Sequence, residues 1–232
     1  MKRIVVLTGA GMSAESGIST FRDSGGLWDT YRVEDVATPE GWMRNPQLVT
    51  EFYNTRRKEL MTVSPCRGHQ LLAELERNYE VDIITQNVDN LHERAGSTRV
   101  LHLHGELMKV TGTREPNNPA FIEELPADRL EIHIGDLAKD GSQLRPFIVW
   151  FGEPVPNIER AAEMSAQADI YLIIGTSLNV YPAAGLTRFV PETTPIYLID
   201  PHPVEWNSPR SFIHIQKGAS EGMEVFMKSI SN

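Results

Sequence analysis

Cysteine is nearly absent from this chain of 232 residues, with Cys66 the only one. An intramolecular disulfide is excluded, and a reducing, cytoplasmic compartment is the simplest expectation. A surplus of positive charge is missing as well. Lys and Arg number 22 against 31 Asp and Glu, a net charge of −9 that argues against nucleic acid as the partner. No run approaches the ~18 consecutive apolar residues of a membrane span, so no membrane association is expected. After the basic start at Met1, Lys2 and Arg3, the apolar stretch covers only residues 4–7, too short for the core of a signal peptide.

What is present is a repeating order of short β-branched runs and helical stretches. Residues 3–7, 81–84, 170–174, 195–199 and 212–215 have the composition of strands, while 47–61, 68–78, 88–95, 158–167 and 220–230 are the helix candidates. Strands that alternate with helices predict an α/β fold with a doubly wound parallel sheet covered on both faces. Small and polar residues follow each predicted strand: Thr8-Gly-Ala-Gly, Thr85-Gln-Asn, Gly175-Thr-Ser, Asp200-Pro and Lys217-Gly-Ala. Ligands of such sheets bind beyond the carboxyl ends of the strands, so these clusters mark one crevice. Residues 111–145 break the pattern with Pro, Asn, Asp and Gly. A small inserted lobe is expected there, with weak apolar patches at Phe121-Ile122, Leu125, Leu130 and Ile132-His133-Ile134.

The first strand runs into "TGAGMSAES", in which Gly9, Gly11 and Ala14 fit the GxGxxG/A spacing of a dinucleotide-binding turn. A dehydrogenase would place an acidic residue at the end of a second strand about 20 residues on. Here the chain runs "STFRDSGGLWDTYR" instead, which is not strand-like. A hydride carrier therefore fits poorly.

"GAGMSAESGISTFR", "TQNVDNLHERAG", "LHGEL", "VWFGE" and "GTSLNVYPAA", in that order, resemble the sirtuins, NAD-consuming protein lysine deacylases. The likeness covers nearly all of the chain outside 111–145. It implies a Rossmann-like large domain built from residues 1–110 and 146–232, with a helical insert over about 28–65, and 111–145 as a small lobe. The implied cofactor is NAD, consumed as a co-substrate, and the implied partners are acylated-lysine proteins; a monomer is expected.

By this resemblance His104 is the base that takes a proton from a ribose hydroxyl, which suits a side chain titrating near neutrality. Asn87 and Asp89 orient the nicotinamide end and a water, and Gln86 meets the ribose. A helix-entry role for the same three residues is equally open from the sequence. Gly9, Ala10, Gly11, Ser13, Ala14, Gly175, Thr176, Ser177 and Ala219 are expected to hold the dinucleotide. Phe21, Arg22 and Trp28 lie in a loop over the reaction centre, where an aromatic lid would exclude water. Val149, Phe151, Gly152 and Glu153 are expected to run extended and pair with a substrate peptide.

Tyr53 and Arg56 stand three apart, on one face of the predicted helix. The resemblance to the class III branch gives this pair the anionic tip of a succinyl- or malonyl-lysine, alongside acetyl-lysine, with Ala37 leaving room for the longer chain. Arg57 next to them has the composition of a plain solvated charge. Two departures stand out. Most sirtuins bind zinc through two cysteine pairs in the lobe, whereas this chain has one histidine there, His133, and a glycine, Gly112, where a first ligand would be. No structural zinc is expected. The second departure is Leu198-Ile199-Asp200, where the branch carries Asn-Leu-Glu, which implies the loss of a hydrogen bond to the adenosine ribose. The rival functions are an ADP-ribosyltransferase that uses the same NAD cleavage, and a non-catalytic module that binds NAD or acyl-lysine.

Overall fold

The computed structural model describes residues 1–19, 30–204, 206 and 210–230. Six parallel strands form the main sheet: β1 (Arg3–Thr8), β2 (Glu80–Thr85), β3 (Val100–His102), β7 (Ile170–Ile174), β8 (Ile196–Ile199) and β9 (Ile213–Ile215). Their order is β3-β2-β1-β7-β8-β9, so the chain winds outward from β1 in one direction and then from β7 in the other. All five predicted strands are present. The sixth, β3, is three residues long and gave too short an apolar run to be noticed.

Strand alternation sorts the apolar side chains onto two faces. Ile4, Val6, Val81 and Ile83 pack with Leu71, Leu72 and Leu75 of α5 (Arg67–Leu75) and with Met223 and Phe226 of α8 (Ala219–Ile230). Val5, Leu7, Ile84 and Tyr171 face the other way, onto Ala161 of α7 (Ile158–Ala166) and the 3-10 segment Ala183–Phe189. This is the two-sided burial that an all-parallel sheet requires.

The helix expected at 88–95 begins later, as α6 (Leu91–Ala95), because the residues before it are held in an irregular turn by side-chain bonds. Gly96, at φ 104°, ends it in the left-handed conformation. Between β1 and β2 lie α1 (Gly11–Ala14), α2 (Val33–Val36), α3 (Pro39–Arg44) and α4 (Pro46–Thr62), followed by α5. Asn45 caps α4 by accepting a hydrogen bond from the Leu48 N–H at 3.1 Å, with Pro46 in the first turn.

A second, antiparallel sheet has the order β5-β4-β6, from β4 (Gly105–Gly112), β5 (Glu123–Glu124) and β6 (Leu144–Ile148). Beside it Val110, Leu125, Ile132, Ala138 and Leu144 close a small apolar cluster. Two of the expected apolar patches therefore contribute to this cluster, while Ile134 is exposed. A Cβ on Gly112 would stand 2.6 Å from both Asp140 Oδ1 and Ser142 Oγ, so those two side chains fill the space that a ligand side chain would need. Among the described residues no group of three His, Cys, Asp or Glu is placed to hold a metal ion.

Arg57 is no solvated charge. It is fully buried and donates to the Leu130 carbonyl at 2.7 Å, the Leu107 carbonyl at 3.5 Å and the Asn54 side chain. Asn54 in turn brackets Ile132, donating to its carbonyl at 2.8 Å and accepting from its N–H at 3.1 Å. Burial pushes the Arg57 guanidinium down to about 10, which leaves it charged at neutral pH. Arg57→Met would orphan two buried carbonyls, and a loss of about 3 kcal/mol is expected from urea denaturation. Hydrogen exchange at the Ile132 amide should accelerate with it. An unchanged midpoint and unchanged Ile132 protection would contradict this assignment.

Candidate active site

A cleft of about 800 Å³ opens at the carboxyl ends of β1, β2, β7 and β8, where the sequence clusters placed it. A second cavity of about 240 Å³ adjoins it, and Ala10, Arg56, Asn87, Val88 and Leu107 border both. Gly9, Ala10, Gly11 and Ala14 line the large cleft, and Ser13 lines the small cavity.

The glycines are required by a backbone-to-backbone approach. Gly9 N–H donates to the Ile174 carbonyl at 3.0 Å, and Gly11 N–H to the Gly175 carbonyl at 2.9 Å. A Cβ on Gly9 would lie 2.7 Å from the Gly175 oxygen, and one on Gly175, itself at φ 62°, 2.3 Å from the Met12 nitrogen. The two loops after β1 and β7 therefore interlock and form the floor of the cleft.

Gln86 is tied across that floor, its side-chain N–H donating to Thr176 Oγ1 at 3.2 Å. Asn87 Nδ2 donates to the Gly9 carbonyl at 3.0 Å and to Ser13 Oγ at 3.1 Å, and Ser13 Oγ donates to Asp89 Oδ2 at 2.9 Å. Asp89 Oδ1 accepts from the Leu91 N–H at 3.1 Å, so its helix-entry and site roles coexist. Burial holds the Asp89 carboxyl above the ordinary carboxylate range, against these hydrogen bonds.

His104 lies on the cleft wall. Its Nδ1 is 3.0 Å from the Gln86 carbonyl, which can only accept, so Nδ1 carries the proton and Nε2 is left bare as a proton acceptor. Burial lowers its pKa below the ordinary imidazole value, and the Gln86 bond opposes that shift.

Ala37, Tyr53 and Arg56 line the same cleft. Burial pushes the Tyr53 phenol up to about 12, which keeps it a hydrogen-bond donor. Arg56 is largely buried, 3.5 Å from Glu59, and desolvation lowers its pKa.

The expected extended run at 149–153 is corrected. Val149 N–H donates to the His104 carbonyl at 2.9 Å, after which the chain turns back, with Glu153 N–H on the Trp150 carbonyl at 3.0 Å and Gly152 at φ 92°. Arg145 imposes the turn. It holds both Glu153 oxygens, at 2.7 and 3.1 Å, and lies 3.4 Å from the Trp150 ring centroid. The Glu153 carboxylate is thus occupied within the protein, although Val149, Phe151, Gly152 and Glu153 all line the cleft.

Thr176 and Ser177 line the cleft as expected. Ala219 packs in the core, and its neighbour Gly218 reaches the cleft. Phe21, Arg22 and Trp28 lie outside the described residues. Leu198 is fully buried in β8, and the cleft position belongs to Asp200, just past the strand end. The sequence reading passed over Glu15, Tyr181 and His202 on the cleft wall, for which only their proximity to the quoted motifs was a signal.

A model of the Sir2 family matches residues 9–182. The chain belongs to the Sir2 family. A Bacteroides thetaiotaomicron protein named NAD-dependent protein deacylase is 65% identical over 224 residues, which cover 97% of this chain and 96% of that protein. A Helicobacter pylori protein of the same name is 50% identical over 230 residues, covering 99% and 98%. Among solved structures, a Sir2 homologue in complex with NAD is 38% identical with a TM-score of 0.87, covering 99% of this chain and 90% of that one. A Sir2 protein bound to an acetylated peptide is 27% identical with a TM-score of 0.80, covering 98% and 93%.

The state of His104 is directly measurable. A pKa lowered in the fold means a neutral ring at pH 7, with protonation only once the pH falls below the ordinary value of about 6.5. In an imidazole NMR titration its midpoint is expected below that value. A midpoint at or above it would contradict the assignment.

Proposed function

We propose that this chain is an NAD-dependent protein lysine deacylase that removes acetyl groups and also succinyl or malonyl groups. The observation that carries this is His104. A buried imidazole with its proton held on Nδ1 presents a bare Nε2 to a cleft that also exposes a glycine cradle and a buried arginine.

The residues fit the dinucleotide. Interlocked glycines leave a floor free of side chains, and the Asn87, Ser13 and Asp89 array offers donors and acceptors to an amide in the small cavity. NAD, when bound, would supply an electrophilic ribose carbon for the acyl carbonyl oxygen; nicotinamide would leave, and one water would be consumed in releasing free lysine and O-acyl-ADP-ribose. Within this chain, His104 Nε2 accepts the proton of the ribose hydroxyl. Asn87 and Asp89 orient the nicotinamide end, and Gln86 meets the ribose. Gly9, Gly11, Gly175, Thr176 and Ser177 hold the rest of the dinucleotide, with Asp200 at its adenosine side. Phe151 and Gly152 meet the acyl-lysine peptide.

Arg56 and the Tyr53 hydroxyl read the carboxylate of a succinyl or malonyl tip. A guanidinium with an anionic oxygen gives strong charge-assisted bonds, and here most of the solvent that would screen them is excluded. Ala37 makes room for the chain. Residues 1–110 with 146–232 are taken as the NAD-binding unit and 111–145 as the lobe. Its single cysteine favours a cytoplasmic compartment and its net charge argues against nucleic acid as a partner; the protein is taken as a monomer without a membrane partner. Among the described residues no helix is long and apolar enough to cross a membrane.

Matched acetyl- and succinyl-lysine peptides, incubated with NAD and followed by mass spectrometry, test this reading. His104→Ala should lose at least about a hundredfold on both substrates, as removal of a general base does. Arg56→Met should cost about tenfold or more on the succinyl peptide, the worth of one charge-assisted bond, and far less on the acetyl peptide. If the wild type binds NAD but releases no deacylated lysine, the deacylase reading fails. ADP-ribose found on protein in that experiment would point to transfer instead.

A further inference from the structure

His102 ends β3, and His104 follows two residues later in the bend that leads into β4. Each ring holds a carbonyl of the same turn. His104 Nδ1 donates to Gln86 O, and His102 Nδ1 lies 3.0 Å from Asn87 O. The other nitrogen of His102 is 2.8 Å from Glu93 Oε1 on α6. A carbonyl accepts only, and so does an ionised carboxylate. A neutral ring has a single N–H and would have to leave one of the two contacts without a proton, so the geometry requires both nitrogens to be protonated.

We propose that His102, held as an imidazolium by Glu93, is a positioning residue for the turn at Gln86 and Asn87, and that its loss of a proton sets an alkaline limit to NAD binding. The proposal rests on the deacylase reading only in taking NAD as the co-substrate. The logic runs along one chain of contacts. The fixed Asn87 backbone aims Nδ2 at Gly9 and Ser13, and Ser13 bonds Asp89, so the two residues assigned to the nicotinamide end both depend on the turn. Asn157 secures the other side of His102, donating to its carbonyl at 2.8 Å. His102 does not line either cavity, so it acts through Asn87 and touches no ligand itself.

The charged surroundings agree with this state. Burial resists charge on His102, but Glu93 on α6 and Glu106 on β4 outweigh it and hold the ring above the ordinary imidazole range. Burial likewise opposes charge on Glu93, and its bond to His102 pulls it below the usual carboxylate range. Asp89 also interacts with the cation, and Lys109, paired with Glu106 at 2.8 Å, acts on Glu93 as well. His92 is the other titratable ring nearby, and burial together with the neighbouring histidines keeps it neutral.

The test uses the full chain as wild type, Glu93→Gln and His102→Gln, with NAD affinity measured by calorimetry from pH 6 to 9.5 and His102 followed by imidazole NMR. In the wild type His102 should titrate above about 6.5, and NAD should bind roughly tenfold or more weakly once the ring is neutral, the loss of one bond to a charged group. Glu93→Gln should move both midpoints to lower pH together, with affinity at pH 6 retained. His102→Gln should bind weakly at every pH with no alkaline limb, which a merely structural loss would not produce. An alkaline limb that stays in place in Glu93→Gln, or a His102 midpoint at or below 6.5, would overturn the proposal. Since affinity is read without turnover, a wild type that removes no acyl group yet shows the coupled midpoints would sink the deacylase reading alone.

Discussion

The close passage of two backbones, Gly9 to Gly11 against Gly175, is the contact on which the site depends. Two backbone hydrogen bonds join the loops, and there is no room between them for a single methyl group. Because β1 and β7 are the central neighbours of the sheet, this seam lies where strand order changes direction, the place where an open α/β sheet offers a crevice. Everything that faces the cleft is then referenced to the seam. Gln86 reaches Thr176 on one side of it, and Asn87 reaches Gly9 on the other. The glycine motif thus serves packing as much as ligand approach, and its backbone conformations are fixed before any dinucleotide arrives.

Helix α4 carries a second constraint, because its sides do different jobs. Tyr53 and Arg56 face the cleft, while Asn54 and Arg57 grip the 130–132 segment beside the antiparallel sheet. In much of this family, as the resemblance described it, metal holds that region together. Here a buried guanidinium and an amide do so, aided by the small cluster around Ile132 and by the Asp140 and Ser142 turn that occupies the space at Gly112. Placing Tyr53, Arg56 and the lobe clasp on one rigid helix means that the lobe cannot loosen without disturbing the helix that lines the cleft.

The fold was legible because its signals are local. Apolar β-branched runs gave five of six strands, and the polar residues after them gave the crevice. The residues that were missed owe their roles to partners far away in the chain. Arg57 has the composition of a surface charge, and only the carbonyls of Leu107 and Leu130, at 50 and 73 residues' distance, make it a buried clasp. The 149–153 run looked extended because its composition is strand-like. Its turn is imposed by Arg145, whose forked grip on Glu153 no periodicity reveals. His102 hid beside His104 in "LHLHGEL", where the repeated histidine was visible but its two acceptors were not. Leu198 was compared position by position with a family motif, whereas it is fully buried within β8 and the cleft is reached by Asp200, just past the strand end.

Arg56 borders both cavities, which makes it a partition between them. A partition that carries charge couples the two compartments it separates. An anion seated against it from the large cleft changes the electrostatic cost of filling the small cavity, and linkage requires the reverse effect to have the same size. Under the proposed assignment, the choice of acyl group and the residence of the leaving group are two faces of one free energy.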